Sequence, residues 1–203
     1  MLLTWYGHAC FKLSADAGSV VLDPYEKNYI AALTLPKLSA DEVICSHGHG
    51  DHCAASEVTL TGRTPAYKKA QLPCWHDEVC GAKRGSNLIT VIEAEGLRVA
   101  HCGDLGHELS DTQLALIGEL DVLLIPVGGV YTVDAVTAKK IVDALRPKTV
   151  VPMHYKMGAR GLQNVAPVED FLALFDASDI LRLGGNTWEI GEIISPVAVF
   201  ELC

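Results

Sequence analysis

No Cys-x-x-Cys pair occurs among Cys10, Cys45, Cys53, Cys74, Cys80, Cys102 and Cys203, which argues against a zinc ribbon or a thioredoxin-like redox site. The odd count, in a chain of ordinary size, points to thiols kept reduced in a cytoplasmic setting rather than to a disulfide framework. Apolar runs are short. None reaches 18 residues, so no segment is expected to span a membrane. The opening stretch Met1 to His8 has no basic region followed by an apolar one, so no secretory signal is expected. Gly 18 and Pro 9 are too few and too scattered for a collagen-like or linker-rich protein. Positive charge is scarce as well. Lys+Arg 16 against Asp+Glu 25 leaves a net charge of −9. Phosphate contacts dominate nucleic-acid affinity, so this balance argues against nucleic acid as a partner.

What remains is a chain of 203 residues with 49% hydrophobic and 20% charged side chains. That is ample apolar surface to offset the entropy of ordering, and a single domain over 1–203 is expected. Leu2–Tyr6 and Ala9–Leu13 read as strands around Gly7-His8, and Ser19–Leu22 as a strand stopped by Asp23-Pro24. Glu42–Cys45 reads as a buried strand, and Ala54–Leu60 as a short helix. Leu88–Ala94 and Leu97–His101 flank a hairpin turn at Glu95-Gly96. Val122–Val127 and Thr149–Val151 read as apolar strands, and Asp134–Leu145 and Val168–Phe175 as amphipathic helices. Ile180–Leu183 and Thr187–Ile190 close the chain as a hairpin around Gly184-Gly185-Asn186. The mix suggests sheets with helices outside them rather than one parallel sheet.

The chemistry concentrates in Ser46-His47-Gly48-His49-Gly50-Asp51-His52, directly after a strand. Histidine is rare, and the chain has 8. Three in one glycine-spaced loop with an aspartate are hard to explain as packing. Imidazole and carboxylate suit Zn, Mn, Fe and Ni, and ligand type alone does not choose among them. Residues i and i+2 of an extended backbone point the same way, so His47 and His49 can chelate one ion. Asp51 and His52 can face a second across a tight turn.

This loop resembles the His-x-His-x-Asp-His signature of the metallo-β-lactamase-fold hydrolases. Further segments extend the resemblance toward the small Zn-dependent hydrolase branch, which includes the ascorbate-6-phosphate lactonase-like proteins. They are Gly7-His8-Ala9-Cys10-Phe11, Leu22-Asp23-Pro24, His101-Cys102-Gly103-Asp104 and Pro152-Met153-His154-Tyr155. The resemblance implies an α+β fold, the four-layer αββα sandwich, with two divalent transition-metal ions at one edge, Zn first among them. His47, His49 and a third histidine would hold one ion. Asp51, His52 and His154 would hold the other, and Asp104 would bridge them. For the third histidine the branch pattern favours His76, at the end of a candidate strand, and puts His101 behind the metal. Two ions roughly 3.5–4 Å apart can share and activate one hydroxide, which gives Asp51 and Asp104 catalytic roles.

Other residues carry two readings each. Asp23 either hydrogen-bonds a ligand imidazole or caps a strand end. His8 lines the cleft by the resemblance; alone it reads as a satisfied histidine. His107 either reaches the pocket or starts a helix. Lys83-Arg84 either pairs an anionic substrate or forms a solvated turn. Tyr155 beside His154 is a candidate donor to a tetrahedral intermediate. Gly128 to Thr132 is a candidate pocket wall. Buried, inert cysteines are the default, including Cys45 and Cys102. The reading is a metal-dependent hydrolase of a small-molecule ester, lactone or phosphodiester-type bond. A phosphodiesterase or nuclease and a non-catalytic metal-binding scaffold or sensor are the competitors. A homo-oligomer is left open. A nuclease of the tRNA-processing kind needs a basic surface and an RNA-gripping insert, and neither is evident.

Overall fold

The computed structural model describes residues 1–191 and 195–202. Cys203 lies outside the described residues; the other six cysteines are free thiols. The chain starts as a meander of β1 (Leu2–Trp5), β2 (Phe11–Ala15) and β3 (Gly18–Leu22), paired antiparallel in that order. It then crosses through β4 (Leu38–Ala40) to β5 (Glu42–Ile44), which pairs parallel to β3. A 3-10 turn at Ala55–Glu57 leads into β6 (Val58–Leu60), which pairs parallel with β4 in a separate two-stranded ladder. The segment Ala54–Leu60 is therefore mostly not helix. Its Val-Thr-Leu end is β-favouring, and the β4 edge takes it up.

The second half builds a larger sheet. β7 (Lys68–Trp75), β8 (Ser86–Ala94) and β9 (Leu97–His101) run antiparallel. The turn between the last two has positive φ at both Glu95 and Gly96, the tight hairpin geometry expected of that pair. Helix α1 (Asp111–Ile117) comes next, then β10 (Val122–Pro126), α2 (Ala135–Leu145) and β11 (Thr149–Met153). All five residues of β10 and of β11 are buried, as parallel central strands require. α2 is capped by Asp134, whose side chain accepts Thr137 N–H, and it buries Ala135, Ala138, Ile141 and Val142. α3 covers only Glu169–Leu172, so the longer helix expected over Val168–Phe175 shrinks to about one turn.

The closing hairpin is also revised. β12 (Ile180–Arg182) pairs with β14 (Val197–Val199) in the larger sheet, whereas β13 (Thr187–Glu189) pairs with β1 in the smaller one. Leu183 N–H to Val199 holds one arm, and Asn186 holds the other through both backbone and side-chain bonds to Trp5. The intervening glycines bridge the two sheets. The sheets read β13-β1-β2-β3-β5 and β12-β14-β11-β10-β9-β8-β7. One apolar cluster fills the space between them, with Leu3, Trp5, Phe11, Val20 and Leu22 meeting Ile89, Val91, Leu123 and Val151. α2 and α3 cover the larger sheet. Over the smaller sheet the outer layer is built of turns around Tyr25, Ile30 and Leu33 and the β4–β6 pair, packed on Val21 and Cys10.

Candidate metal centre

The polar residues come together where strands end. Asp23 follows β3, the His47–His52 loop follows β5, His76 follows β7, Asp104 follows β9 and His154 follows β11. His8 enters from the β1–β2 turn. The loop is compact because both His52 and Cys53 donate their N–H to His49 O, at 3.0 and 2.9 Å.

Asp23 organises that loop from behind. Its carboxylate accepts Ser46 N–H at 2.6 Å on Oδ1, and on Oδ2 it accepts Ser46 Oγ–H at 2.6 Å and His52 Nδ1–H at 2.7 Å. Ser46 Oγ has then spent its proton, so at 2.9 Å it accepts from His47 Nδ1–H. Both imidazoles thus carry a proton on Nδ1 and turn the Nε2 lone pair forward. His76 reaches the same state by donating Nδ1–H to Tyr131 O at 3.2 Å.

Those Nε2 atoms converge on Asp104. Its carboxylate lies 3.1 Å from His76 Nε2, 3.1 Å from His52 Nε2, 3.4 Å from His154 Nε2 and 4.0 Å from His47 Nε2. Two donors each about 2.0–2.1 Å from a tetrahedral ion sit about 3.3 Å apart. The spacing is that of ligands sharing an ion. The alignment is not that of hydrogen bonds: Nε2 of His8, His47, His52 and His154 and Oδ1 of Asp104 are buried with no hydrogen-bond partner. Metal-capable atoms fall into the groups His47, His49, His76 and His8, Asp51, His52, His154, with Asp104 grouped beside His47 and His52. The donor set fits transition-metal ions.

Electrostatics point the same way. Burial, helped by His154, pushes His8 down to about 3, and burial with His52 pushes His47 down to about 4. Burial opposes ionisation of Asp104, but His154 and His52 hold it well below the usual carboxylate range. Asp51 is likewise lowered by His8 and His52 against burial. Against burial, Asp104 and Asp23 raise His52 strongly. A cation in that field takes over the role of the proton.

Two glycines make the approach of Asp104 feasible. A Cβ at Gly103, where φ is +53°, would lie 2.4 Å from Asn87 Oδ1 and from Ser46 Cβ. A Cβ at Gly106 would lie 2.3 Å from Asp77 N and 2.4 Å from His76 C.

Not every residue singled out from the sequence faces this centre. His101 donates Nε2–H to Ala9 O at 2.9 Å and accepts Gly103 N–H on Nδ1 at 3.1 Å, so neither ring nitrogen is free for a metal. Tyr155 is a correction. Its ring packs on Trp5 in the core and lines a different cavity, of about 640 Å³. The backbone at His154 has φ +55°, and the side chain that follows turns into the sheet interface. His107 neither reaches the pocket nor starts a helix. It accepts Trp75 N–H at 3.1 Å and donates to Glu108 O at 2.7 Å, and α1 begins at Asp111. His8 does more than line a cleft: Nε2 lies 3.5 Å from Asp51 Oδ2 and the ring 4.0 Å from that of His154.

Sequence reasoning passed over Ser46, Asn87 and Asp77. Asn87, wholly buried, accepts Asp104 N–H at 3.0 Å and donates to Cys102 O at 2.8 Å, pinning the Asp104 turn. A lone asparagine opening an apolar strand was its signal. Asp77, beside His76, accepts the N–H groups of Val79, Gly81, Lys83 and Arg84 at 2.7–3.0 Å.

A two-sheet sandwich with a histidine–aspartate centre at its strand ends defines a metal-dependent hydrolase of the metallo-β-lactamase type. Residues 2–154 match the beta-lactamase superfamily domain, and the chain belongs to that family. It is 30% identical to a UPF0173 metal-dependent hydrolase of Archaeoglobus fulgidus, over 76% of this chain and 83% of that one. A Thermotoga maritima structure assigned to the metallo-β-lactamase superfamily as a Zn-dependent hydrolase is 36% identical. It superposes with a TM-score of 0.79, covering 100% of this chain and 99% of that chain. Igni18, a metallo hydrolase of Ignicoccus hospitalis, shares the fold at 24% identity, with a TM-score of 0.57 over 76% of this chain and 82% of that one. No helix among the described residues is long and apolar enough to cross a membrane.

Proposed function

We propose that the chain is a dinuclear metal hydrolase acting on an ester, lactone or phosphodiester-type bond of a small molecule in the cytoplasm. The observation that carries the reading is the Asp104 carboxylate, 3.1 Å from His76 Nε2 on one side and 3.1 Å from His52 Nε2 on the other. His47, His49 and His76 would hold one ion, Asp51, His52 and His154 the second, with Asp104 shared. The mixed imidazole and carboxylate donors suit zinc, with Mn, Fe or Ni as substitutes. Such ions, when bound, supply water activated near neutral pH and a Lewis acid for a carbonyl or phosphoryl oxygen.

The chain supplies position and orientation. Asp51 and Asp104 share a cavity of about 340 Å³ with Tyr29, His49, His76 and Leu162, enough for a small substrate and at the low end of ligand pockets. Asp51 is half-buried and ionised, so its carboxylate can accept a hydrogen bond from the attacking water and orient it. His8 Nε2 stands 3.5 Å from Asp51 Oδ2, and the Asp23–Ser46 pair keeps two imidazoles in register.

The test is metal content after reconstitution, measured by elemental analysis, beside rates on lactone, thioester, ester and phosphodiester substrates. Two ions per chain with metal-dependent turnover are expected. One ion or none refutes the dinuclear reading. Two ions with no turnover on any substrate make the protein a metal-binding scaffold instead.

A further inference from the structure

We infer that Arg84 binds an oxyanion on the substrate, a carboxylate or phosphate arm separate from the bond that is cut, so that acidic substrates are preferred over neutral ones. The inference rests on the hydrolase reading above and names the substrate class of that site.

Arg84 lines the same cavity as His49, Asp51, His76 and Asp104. Its guanidinium is held in one plane. The carbon lies 5.5 Å from the centre of the Tyr131 ring, and Nη2 donates to Val130 O at 2.9 Å. Its backbone is fixed too. Arg84 N–H donates at 2.7 Å to Asp77, a buried carboxylate that also collects the three N–H groups of Val79, Gly81 and Lys83. Tyr131 is anchored on both ends, by its carbonyl to His76 Nδ1–H and by its hydroxyl, which accepts from Asn164 Nδ2 at 2.6 Å. The cation therefore sits on a rigid wall that also orients a metal-capable histidine.

Among the described residues that charge has no carboxylate partner. Among the described residues no carboxylate lies within 4.0 Å of the Arg84 guanidinium nitrogens. The carboxylates that share its cavity, Asp51 and Asp104, face the histidine cluster. A guanidinium carries five N–H donors in a fixed fork, matched to a planar carboxylate or to two phosphate oxygens. Here one nitrogen is bonded to Val130 O, and among the described residues the rest of the fork has no protein acceptor. A wall function, stapling Val130 and covering Tyr131, and a solvated turn, in which water takes the remaining donors, compete with this assignment, and neither predicts a loss confined to acidic substrates.

The test uses the zinc-reconstituted full chain as wild type, Arg84→Ala and Arg84→Lys. Substrates are the p-nitrophenyl esters of acetate, succinate and phosphonoacetate. Inorganic phosphate is titrated calorimetrically as a probe independent of turnover. Arg84→Ala is expected to raise KM for one or both acidic esters about 10-fold or more, with kcat and the acetate ester within about twofold. Phosphate affinity should fall by a similar factor, and zinc content should not change. Arg84→Lys keeps the charge without the fork and should fall between. Whichever acidic ester suffers more identifies the oxyanion. Equal loss on neutral and acidic esters, or loss of zinc, assigns Arg84 a purely structural role and overturns the inference, as do unchanged KM values and phosphate affinity. If no ester is turned over but Arg84→Ala still loses phosphate, the anion site stands and the hydrolase reading fails.

Discussion

Replacing Asp23 with asparagine tests how the chain sets the tautomers of its metal-capable histidines. The carboxylate accepts three donors, one on Oδ1 and two on Oδ2. An amide has one acceptor oxygen, and its NH2 must face donors on the other side. With the oxygen in the Oδ2 place, NH2 meets Ser46 N–H, donor against donor, across what was a 2.6 Å bond. With the oxygen in the Oδ1 place, NH2 meets Ser46 Oγ and His52 Nδ1. His52 can then accept only by carrying its proton on Nε2, the atom 3.1 Å from Asp104. The first arrangement strands a buried N–H; the second removes a ligand lone pair. Either way at least one charge-assisted hydrogen bond is lost, worth about 1.5–3 kcal/mol. Loss of a partner behind a ligand typically costs about 10–100-fold in metal affinity, or about 1.4–2.7 kcal/mol. Asp23 is held ionised by His52, His101 and Ser46 against the effect of burial, so the comparison holds at neutral pH. Zinc affinity is read by chelator competition, and urea unfolding of the metal-free chain reads the hydrogen-bond loss. A variant whose zinc affinity stays within about twofold of wild type would refute the argument that Asp23 orients the ligands.

Three further outcomes are expected. Asp104→Ala should keep the fold and one ion on His47, His49 and His76, but lose the second ion and most hydrolysis; elemental analysis beside rates checks it, and two retained ions with near wild-type turnover would exclude the shared-ligand role. His76→Ala should weaken metal binding far more than His101→Ala, because both ring nitrogens of His101 are already bonded to Ala9 and Gly103; paired metal titrations giving the opposite order would exchange the two roles. Gly103→Ala should destabilise the chain by more than about 2 kcal/mol, from the left-handed backbone and the 2.4 Å contacts with Asn87 and Ser46; a urea midpoint equal to wild type would show that the turn can yield.

The sandwich and its centre were legible because they rest on local patterns. The His47-to-His52 loop, the buried runs of β10 and β11 and the Glu95-Gly96 hairpin each carry their signal within a few residues. What was not legible depends on distant partners. β12 and β13 look like a hairpin around three turn-forming residues, yet Val199 draws one arm into the larger sheet and Trp5 the other into the smaller. α1 has a capping box between Ser110 and Gln113, but it buries only Ile117, so no apolar stripe announced it. β14 is three residues long and too short to show alternation. Tyr155 was read by adjacency to His154, whereas a positive φ decides which way successive side chains turn. Asn87 and Ser46 work through backbone groups brought from other strands, a role that spacing does not encode.

The energetics explain why this centre sits where it does. His8, Asp23 and His154 hold φ of 53°, 47° and 55°, a left-handed backbone that costs a non-glycine residue roughly 1–2 kcal/mol. Beside them lie ring nitrogens and a carboxylate oxygen buried without hydrogen-bond partners, each a further cost of about 1–3 kcal/mol. Such a cluster cannot hold its own shape; the strand ends must impose it. β10 and β11 are buried along their full length and carry the apolar cluster that joins both sheets, and the loops that follow β3, β5, β9 and β11 are fastened to that frame. His154 N–H bonds to His8 O at 3.3 Å, and Cys102 N–H to Leu124 O at 3.0 Å, so these turns, which carry metal-capable side chains, are tied to a neighbour from another strand or turn. The strain is concentrated where the unpartnered atoms meet, and an ion bound there would satisfy them together. Folding and the shape of the metal-capable cluster therefore draw on the same contacts, and the residues behind it, Asp23, Ser46, Asn87 and Asp77, serve both.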